Sequence, residues 1–391
     1  MNDSTHRISR RTFLKGAGAV LVVAAGGLVW RAADQGVFST GKGPAYEPWR
    51  DWQQAEGPLA LVSAAILAAN PHNSQPWRFR VSDTQIDLFA DHARNLGTID
   101  PFLREMHIGL GAALENLLLA AAVHGYSAKL ALLPDSADPT LVARVALAPG
   151  QPAVNALAEA IPKRHTNRSA YDLARPVATE VFEQLKALGS DLADVTVLWF
   201  TTPEQRKQVG DLIVQATEAL VADEQQSIDS HAWYRETWEE LQAERSGITI
   251  DAQSLSMPLT LASKIMPPIS RQQGDAFFVA NTRDVYTATA TAFGILAARD
   301  SMDNGQRLVG GRLWQRMHLW GTANGLAMQP LNQPAERADR EVQLGVDPRF
   351  GNALAELLGD PSWHALMPFR LGYPTEEARL SPRRSVEAVL V

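Results

Sequence analysis

Residues 111–125 of the chain read GAALENLLLAAAVHG, and residues 311–325 read GRLWQRMHLWGTANG. In both segments a glycine opens an apolar helical pattern and a second glycine closes it. Because glycine has no Cβ atom, the first position permits close helix packing and the last permits a left-handed stop. The repeat predicts two equivalent core helices in two related halves of the chain. The alternative is a chance likeness between two buried helices.

The surroundings of these segments predict the other elements. Asp100-Pro101 is a favourable start for the first core helix, and the pattern from Ile108 to Val123 is apolar on nearly every face, which is typical of a central helix. Strands are predicted near residues 79–81, 86–89, 128–132, 143–147, 195–200 and 367–372, and helices over 59–69, after Thr202-Pro203, and near 230–245, 284–299 and 307–324. Residues 246–283, rich in Ser, Pro, Met and Gly, predict a long excursion or lid.

Composition limits the classes of function. The chain has 391 residues, a formal net charge of −7 and no cysteine. An acidic body is a poor partner for nucleic acid, because binding to the phosphate backbone requires a basic surface. The lack of cysteine excludes disulfides, thiolate nucleophiles, iron–sulfur clusters and cysteine-ligated zinc. The nine histidines form no His-x-x-x-His pattern, so no metal is assigned.

The first thirty residues resemble an export signal. Ser9-Arg10-Arg11-Thr12-Phe13-Leu14-Lys15 is followed by a mildly apolar run from Gly16 to Trp30, as in twin-arginine signals. The alternative is an amphipathic first helix. We predict a signal over residues 1–33 that is either cleaved or kept as a membrane tether. The protein would then be exported already folded by the twin-arginine translocase to a periplasmic or other extracytoplasmic location.

Two polar segments in the body are candidates for ligand binding. Residues 70–79 read NPHNSQPWRF, a run of amide, hydroxyl and imidazole groups whose two prolines restrict the backbone; the alternative is a capped turn with Trp77 in the core. Residues 163–168 read KRHTNR, a cluster of cations and a hydroxyl that suits a phosphate; the alternative is a solvated basic surface.

Together these segments resemble the nitroreductase family, in particular its twin-arginine-exported, dormancy-associated branch of single-chain members. Residues 71–77 are similar to the family's P-S-x-N-x-Q-P-W loop, and residues 164–168 to its R-x-[ST]-x-R phosphate motif. Residues 325–331 are similar to the segment that lies along the flavin. Residues 370–373 and 382–384 resemble the closing strand and the terminal arginines.

The order of the motifs departs from that of the homodimeric members. Those have the arginine motif first and the loop later in each chain, whereas here the loop precedes the arginine motif. The resemblance therefore implies an α+β fold with a mixed, mostly antiparallel sheet and helices around long central core helices. Two halves, residues 34–155 and 156–391, would form an internal pseudo-dimer, and the protein would be a monomer with one complete flavin site at the seam.

The resemblance also implies which residues hold the cofactor, FMN. The first half would offer His72, Asn73, Ser74 and Gln75 to the ring, and the second half would bind the phosphate with Arg164, Thr166, Arg168 and Arg383. Gly325 and Leu326 would lie along the flavin. Arg104 would be the cation near N1 and O2 of the ring; the alternative is a surface salt bridge with Glu105.

The function that follows is an FMN-dependent oxidoreductase. Electrons would pass from a small-molecule donor to a nitro, quinone or similar acceptor through flavin N5, so that no protein nucleophile or general base is required. One alternative is a non-enzymatic protein that binds or sequesters flavin. Another is flavin-linked fragmentation or lyase chemistry.

Overall fold

The computed structural model describes residue 27 and residues 29–391, so the arginine pair of the predicted export signal lies outside the described residues. The helices are α1 (Glu47–Asp51), α2 (Pro58–Ala65), α3 (Arg104–Val123), α4 (Ala156–Ala160), α5 (Thr179–Ala187), α6 (Pro203–Ala222), α7 (Glu224–His231), α8 (Trp238–Glu244), α9 (Met257–Ile265), α10 (Arg271–Asn281), α11 (Asn304–Ala323), α12 (Gln333–Leu344) and α13 (Arg349–Leu358). The strands are β1 (Trp77–Ser82), β2 (Gln85–Ala90), β3 (Tyr126–Leu132), β4 (Leu141–Pro149), β5 (Val195–Phe200), β6 (Tyr234–Arg235), β7 (Ile248–Thr249), β8 (Ala292–Ala298), β9 (Ala327–Pro330) and β10 (His364–Gly372).

The strands form two antiparallel sheets of four strands each. The first has the order β1-β2-β4-β3 and the second β5-β8-β10-β9, while β6 and β7 form a short parallel pair. The predicted hairpin is confirmed, with Trp77 opposite Ala90 and Ser82 opposite Gln85. Side chains alternate between buried and exposed at the start of β1, as expected for a strand with one face on the core.

The helix predicted near residues 284–299 is wrong in its second half. Residues Thr282–Thr287 form a π-helical turn, but Ala292–Ala298 is β8, a central strand between β5 and β10. All its residues are buried, so the strand reads as a continuous apolar run, which periodicity cannot distinguish from a buried helix. Gly294 is required there, because an added Cβ atom would lie 2.3 Å from the Phe369 ring.

The two glycine-bounded segments form α3 and α11, and these helices cross each other at the paired glycines. A Cβ atom on Gly111 would lie 2.0 Å from the carbonyl oxygen of Leu308, and one on Gly311 would lie 2.0 Å from that of Ile108. The contact is reciprocal, as in a two-fold interface, so the repeat is more than a chance likeness. Beside the crossing, Gln315 Nε2 donates to Asn116 Oδ1 at 2.8 Å.

Each sheet has its own apolar core, and the crossing helices join the two. Leu308 and Leu319 of α11 pack into the core of the first sheet, whereas Ile108 of α3 packs into the core of the second. Although α3 is long and apolar enough to cross a membrane, most of it is buried inside the protein, as in a core helix. The predicted α+β class, with antiparallel sheets around central helices, is confirmed.

We expect Gly111→Ala to lower the free energy of unfolding by about 1–3 kcal/mol, because the new methyl group must push the two helices apart. Urea denaturation followed by circular dichroism measures the change. Gly274→Ala is the matched control: Gly274 lies within α10 and its Cβ atom would meet nothing closer than 4.0 Å, so stability should be unchanged or slightly higher. Equal effects of the two substitutions would contradict the close crossing.

Candidate functional site

A cavity of about 170 Å³ lies where the two halves meet. Side chains from the loop after α2 and from the start of α3 form one side, and the other side comes from the chain after Thr166. Its polar lining consists of Asn70, His72 and Glu105 from the first half and Thr166, Arg168, Ser230, Tyr234, Gln253, Tyr286, Gln329, Asn332, Gln333 and Glu336 from the second. The predicted excursion, residues 246–283, also lines this cavity, through Ile248, Gln253 and Phe278.

The loop over residues 70–76 has an unusual backbone. His72, Asn73 and Gln75 all have positive φ angles, of 46°, 53° and 54°, a region that residues other than glycine rarely adopt. Asn70 Oδ1 accepts a hydrogen bond from the Gln75 backbone N–H at 2.8 Å and closes the loop on itself. Strain of this kind persists only where the surrounding structure enforces it, and it concentrates at functional sites.

The side chains of Asn73 and Gln75 enforce that conformation. Asn73 Nδ2 donates to the carbonyl oxygens of Gly247 at 3.2 Å and Pro382 at 2.9 Å. Gln75 Nε2 donates to the Arg245 carbonyl at 2.7 Å, and its Oε1 accepts from the Arg384 backbone N–H at 2.8 Å. These two amides and the buried Ser74 therefore lie outside the cavity lining, where they join the loop to the excursion and the C-terminal tail.

His72 is the member of the predicted ring-binding group that lines the cavity. Its Nε2 lies 3.1 Å from Ser230 Oγ. Burial, together with the nearby Arg168 guanidinium, lowers the pKa of His72 to about 4, so the imidazole is neutral at physiological pH. A neutral ring can offer one N–H donor and one acceptor to a polar ligand.

Arg164 and Arg383 form a buried cationic pair behind the loop. Arg164 Nη2 donates to the Leu67 carbonyl at 3.0 Å and Arg383 Nη2 to the Ala68 carbonyl at 3.2 Å. Neither Nε atom has a hydrogen-bond partner within the part of the chain that the structure describes. Burial lowers the pKa of Arg164 to about 10; burial and then the charge of Arg164 lower that of Arg383 well below its usual value. Among the described residues no carboxylate pairs with either guanidinium.

Thr166 and Arg168 extend this positive region into the cavity, which both residues line. Arg168 Nη1 donates to the Ala252 carbonyl at 3.0 Å, and its charge contributes to lowering the pKa of His72. Burying cations without a counter-ion is costly, so a cluster of this kind fits an anionic ligand such as a phosphate. Of the four residues predicted to bind the phosphate, Thr166 and Arg168 thus line the cavity, whereas Arg164 and Arg383 lie behind the loop.

Three other predicted site residues lie away from the cavity lining. Gly325 ends α11 with a φ of 72°, and Leu326 is buried in the second core. The later part of the same segment, Gln329 to Leu331, lines the cavity instead. Arg104 is buried and points at Asp339, with Nε to Oδ2 at 2.8 Å, and its Nη1 donates to the Leu366 carbonyl at 2.7 Å. The alternative role of Arg104, a salt bridge with Glu105, is present with a distance of 3.6 Å between Nη2 and Oε1, but this salt bridge is buried and does not lie on the surface.

Sequence reasoning missed the carboxyl pair at another part of the lining. Glu105 and Glu336 are buried and hydrogen-bond to each other. Burial raises the pKa of Glu105 to about 7, and burial together with the Glu105 charge raises that of Glu336 well above its usual range. The pair therefore shares a proton near neutral pH. Glu105 and Glu336 are far apart in the sequence, so no local pattern predicts that they meet. The only nearby signal is the helix start at Asp100-Pro101, which places Glu105 in the first turn of a helix.

The described residues contain no group of three or more histidine and carboxylate side chains that could hold a metal ion. The cavity thus combines a positive region around Arg168, a protonated carboxyl pair, and apolar surface from Ile108, Trp314 and Met367. This composition suits a flat organic ligand that carries an anionic group.

Comparison with known proteins identifies relatives. No family model matches the chain. It is 30% identical over 300 residues to Rv3131 of Mycobacterium tuberculosis, provisionally named an NAD(P)H nitroreductase, over 76% of this chain and 82% of that protein. A second protein of that organism, acg, which is provisionally named in the same way, is 36% identical over 90 residues, or 23% of this chain and 27% of its own. The FMN-dependent nitroreductase NfnB from Mycobacterium smegmatis aligns with a TM-score of 0.36 at 17% identity, over 59% of this chain and 96% of its own.

The carboxyl pair predicts a pH dependence of stability. Since the pKa values of Glu105 and Glu336 are raised on folding, the folded protein holds protons that the unfolded chain loses above about pH 4.5, and stability falls as pH rises toward 8. We expect Glu336→Gln to gain stability relative to the wild type as the pH rises from about 5 to 8, because the variant lacks the buried carboxyl group that must keep its proton. Denaturation at several pH values measures it. The exposed Glu180→Gln should follow the wild type, and the same behaviour from Glu336→Gln would rule out the shared proton.

Proposed function

Because the chain belongs to the nitroreductase family, we propose that it is an FMN-dependent oxidoreductase that passes electrons from a reduced donor to a nitro, quinone or similar acceptor. The observation that carries the cofactor assignment is the buried cluster of Arg164 and Arg383, which among the described residues has no acidic partner and lies behind a loop that lines the cavity. A phosphomonoester supplies the charge that this cluster lacks.

In this proposal the residues of the second half hold the phosphate. Arg168 and Thr166 would bind it from the cavity. Arg164 and Arg383 would neutralise its charge from behind the loop, since no described residue accepts a hydrogen bond from their Nε–H groups. The strained loop at His72 and the segment from Gln329 to Leu331 would hold the ring from two sides. Bound FMN would supply the electron transfer, accepting and releasing a hydride at N5.

The electron donor is part of the proposal. The names of the relatives indicate NAD(P)H, and we propose a nicotinamide donor where the protein meets one. The acceptor has to enter the same cavity, whose apolar surface and neutral His72 suit an uncharged, flat molecule. A protein that only stores flavin would bind FMN without reacting with any donor.

Purified protein should carry one FMN, and Arg164→Ala combined with Arg168→Ala should be colourless, because the phosphate loses two of its cations. Absorbance of the flavin band measures occupancy. Arg175→Ala is the matched control, since Arg175 is exposed and packs over Tyr373 at 3.5 Å. A double variant that retains stoichiometric FMN would refute the phosphate assignment.

The same preparation tests turnover. NADPH, NADH or a reduced quinone, added without oxygen, should bleach the flavin band of the wild type, and a nitroaromatic or quinone should restore it. If no donor changes the flavin band, the proposed enzymatic function is wrong and the alternative, a protein that only stores flavin, is supported.

We also propose that the protein is exported in folded form through the twin-arginine translocase. The support is the sequence from Ser9 to Lys15 followed by the apolar run to Trp30. Replacing Arg10 and Arg11 together with lysine should leave the protein in the cytoplasm with its FMN, as cell fractionation would show. Unchanged export of this variant would contradict the proposed twin-arginine signal. A retained signal would remain as a membrane tether.

A further inference from the structure

Two amide side chains at the start of α12 line the cavity without being paired. Asn332 directly precedes the helix and Gln333 is its first residue. Asn332 Oδ1 and Gln333 Oε1 are both buried, and neither accepts a hydrogen bond from any residue that the structure describes. Buried polar atoms without a partner are rare in native proteins, and a bound molecule is one explanation for them.

The carboxyl pair continues this part of the lining. Glu336 lies in the first turn of α12, and Glu105 is hydrogen-bonded both to Glu336 and to the side chain of Asn332. Because the pair shares a proton, it stays negatively charged and accepts hydrogen bonds strongly. These neighbouring residues form what we call the carboxyl–amide wall: Glu105, Asn332, Gln333 and Glu336.

The guanidinium groups of this region are directed elsewhere. Arg104 donates through Nε to Asp339 and through Nη1 to the Leu366 carbonyl. Arg307 donates through Nε to the Ser301 carbonyl at 2.6 Å. Neither arginine lines the cavity. The described part of the chain therefore supplies no donor to the two amide oxygens of the wall, and a donor has to come from a bound molecule.

Apolar surface lies beside the wall. Ile108 follows Glu105 by three residues in α3, so the two side chains lie on the same side of that helix. Met367, which follows the residue whose carbonyl accepts from Arg104, lines the same cavity. A flat ring can rest against these two side chains while a substituent on the ring meets the oxygens of the wall.

We propose that the carboxyl–amide wall is a subsite that selects substrates carrying an N–H donor group, such as a primary amide or an aromatic amine. The inference rests on the proposed function, because the ligand is the flat, uncharged electron acceptor of that proposal. The N–H groups donate to Gln333, Asn332 and the carboxyl pair. A substrate without them leaves these buried oxygens unpaired, and a site of this kind discriminates strongly against such an analogue.

Two ligands of nearly equal shape test the subsite. 2-Naphthamide and 2-acetylnaphthalene differ in that an NH₂ group of the first is replaced by a methyl group in the second. Calorimetric titration of the full-length protein, as purified with its FMN, gives a Kd for each. We expect the wild type to bind the amide at least about tenfold more tightly than the ketone. This comparison needs no substitution, so it does not depend on the folding of a variant.

Substitutions then locate the preference for the amide. Gln333→Met combined with Glu336→Gln removes one oxygen of the wall and the charge of another with little change in size. We expect the combined variant to lower the ratio of the two Kd values at least about fivefold. Gln343→Met is the matched control, because it is the same change on the exposed side of α12, outside the cavity lining. This control should keep the wild-type ratio.

The FMN content separates the subsite from the cofactor site. The flavin absorbance per protein of the combined variant should equal that of the wild type. A loss of FMN in step with the preference for the amide would overturn the proposal, because it would assign the oxygens of the wall to the ring of the cofactor.

Two binding results would also overturn the proposal. One is equal affinity of the wild type for the amide and the ketone. The other is a combined variant that keeps the wild-type ratio, which would place the preference elsewhere in the protein. A wild type that prefers the amide while no donor bleaches its flavin would support the subsite and contradict only the proposed enzymatic function.

Discussion

The close crossing of α3 and α11 is the contact on which the rest of the structure depends. Gly111 and Gly311 each lie against a carbonyl of the opposite helix, so the helix axes approach more closely than any side chain would allow. Beside the glycines, Glu115 of α3 forms salt bridges with two residues of α11, Arg312 at 2.7 Å and Arg316 at 2.6 Å, and these also hold the two helices together. Because each helix also packs into the core of the opposite half, the two sheets are placed together, and the cavity between them is a consequence of that placement.

The region behind the loop that lines the cavity contains buried positive charge, which carries an electrostatic cost. Arg164 and Arg383 are buried side by side, and the pKa of each is lowered chiefly by burial. The same charges, after burial itself, lower the pKa of His165 to about 3. The described residues give this cluster hydrogen-bond acceptors in backbone carbonyls and in Asn73 Oδ1, but no carboxylate, although the protein has an excess of acidic residues. Without a bound anion, the buried guanidinium groups would lower the stability of the folded protein. An anionic cofactor bound nearby would compensate their charge and explain why they are kept.

The sequence predicted what depends on local signals. Paired glycines, the loop at residues 70–79 and the hairpin of β1 and β2 are readable because each has a chemical or periodic signature within a few residues. The strand β8 was mistaken for a helix, since burial on both sides removes the alternation that marks a strand. The sequence also could not predict the direction in which a polar side chain points. Asn73 and Arg104 are equally polar in sequence, and only tertiary partners direct them to backbone carbonyls and Asp339.

The hydrogen bonds of Asn73 and Gln75 also determine how the excursion behaves. Both amides bind backbone groups between Arg245 and Gly247, and both bind the C-terminal tail near Pro382. Removing the excursion from the cavity would therefore break the contacts that hold the loop in its left-handed conformation. The start of the excursion is thus a fixed wall of the site, coupled to the loop that faces it. Farther along the excursion, Gln253 and Phe278 also line the cavity, so the start and the later part of this segment both form part of the wall of the site.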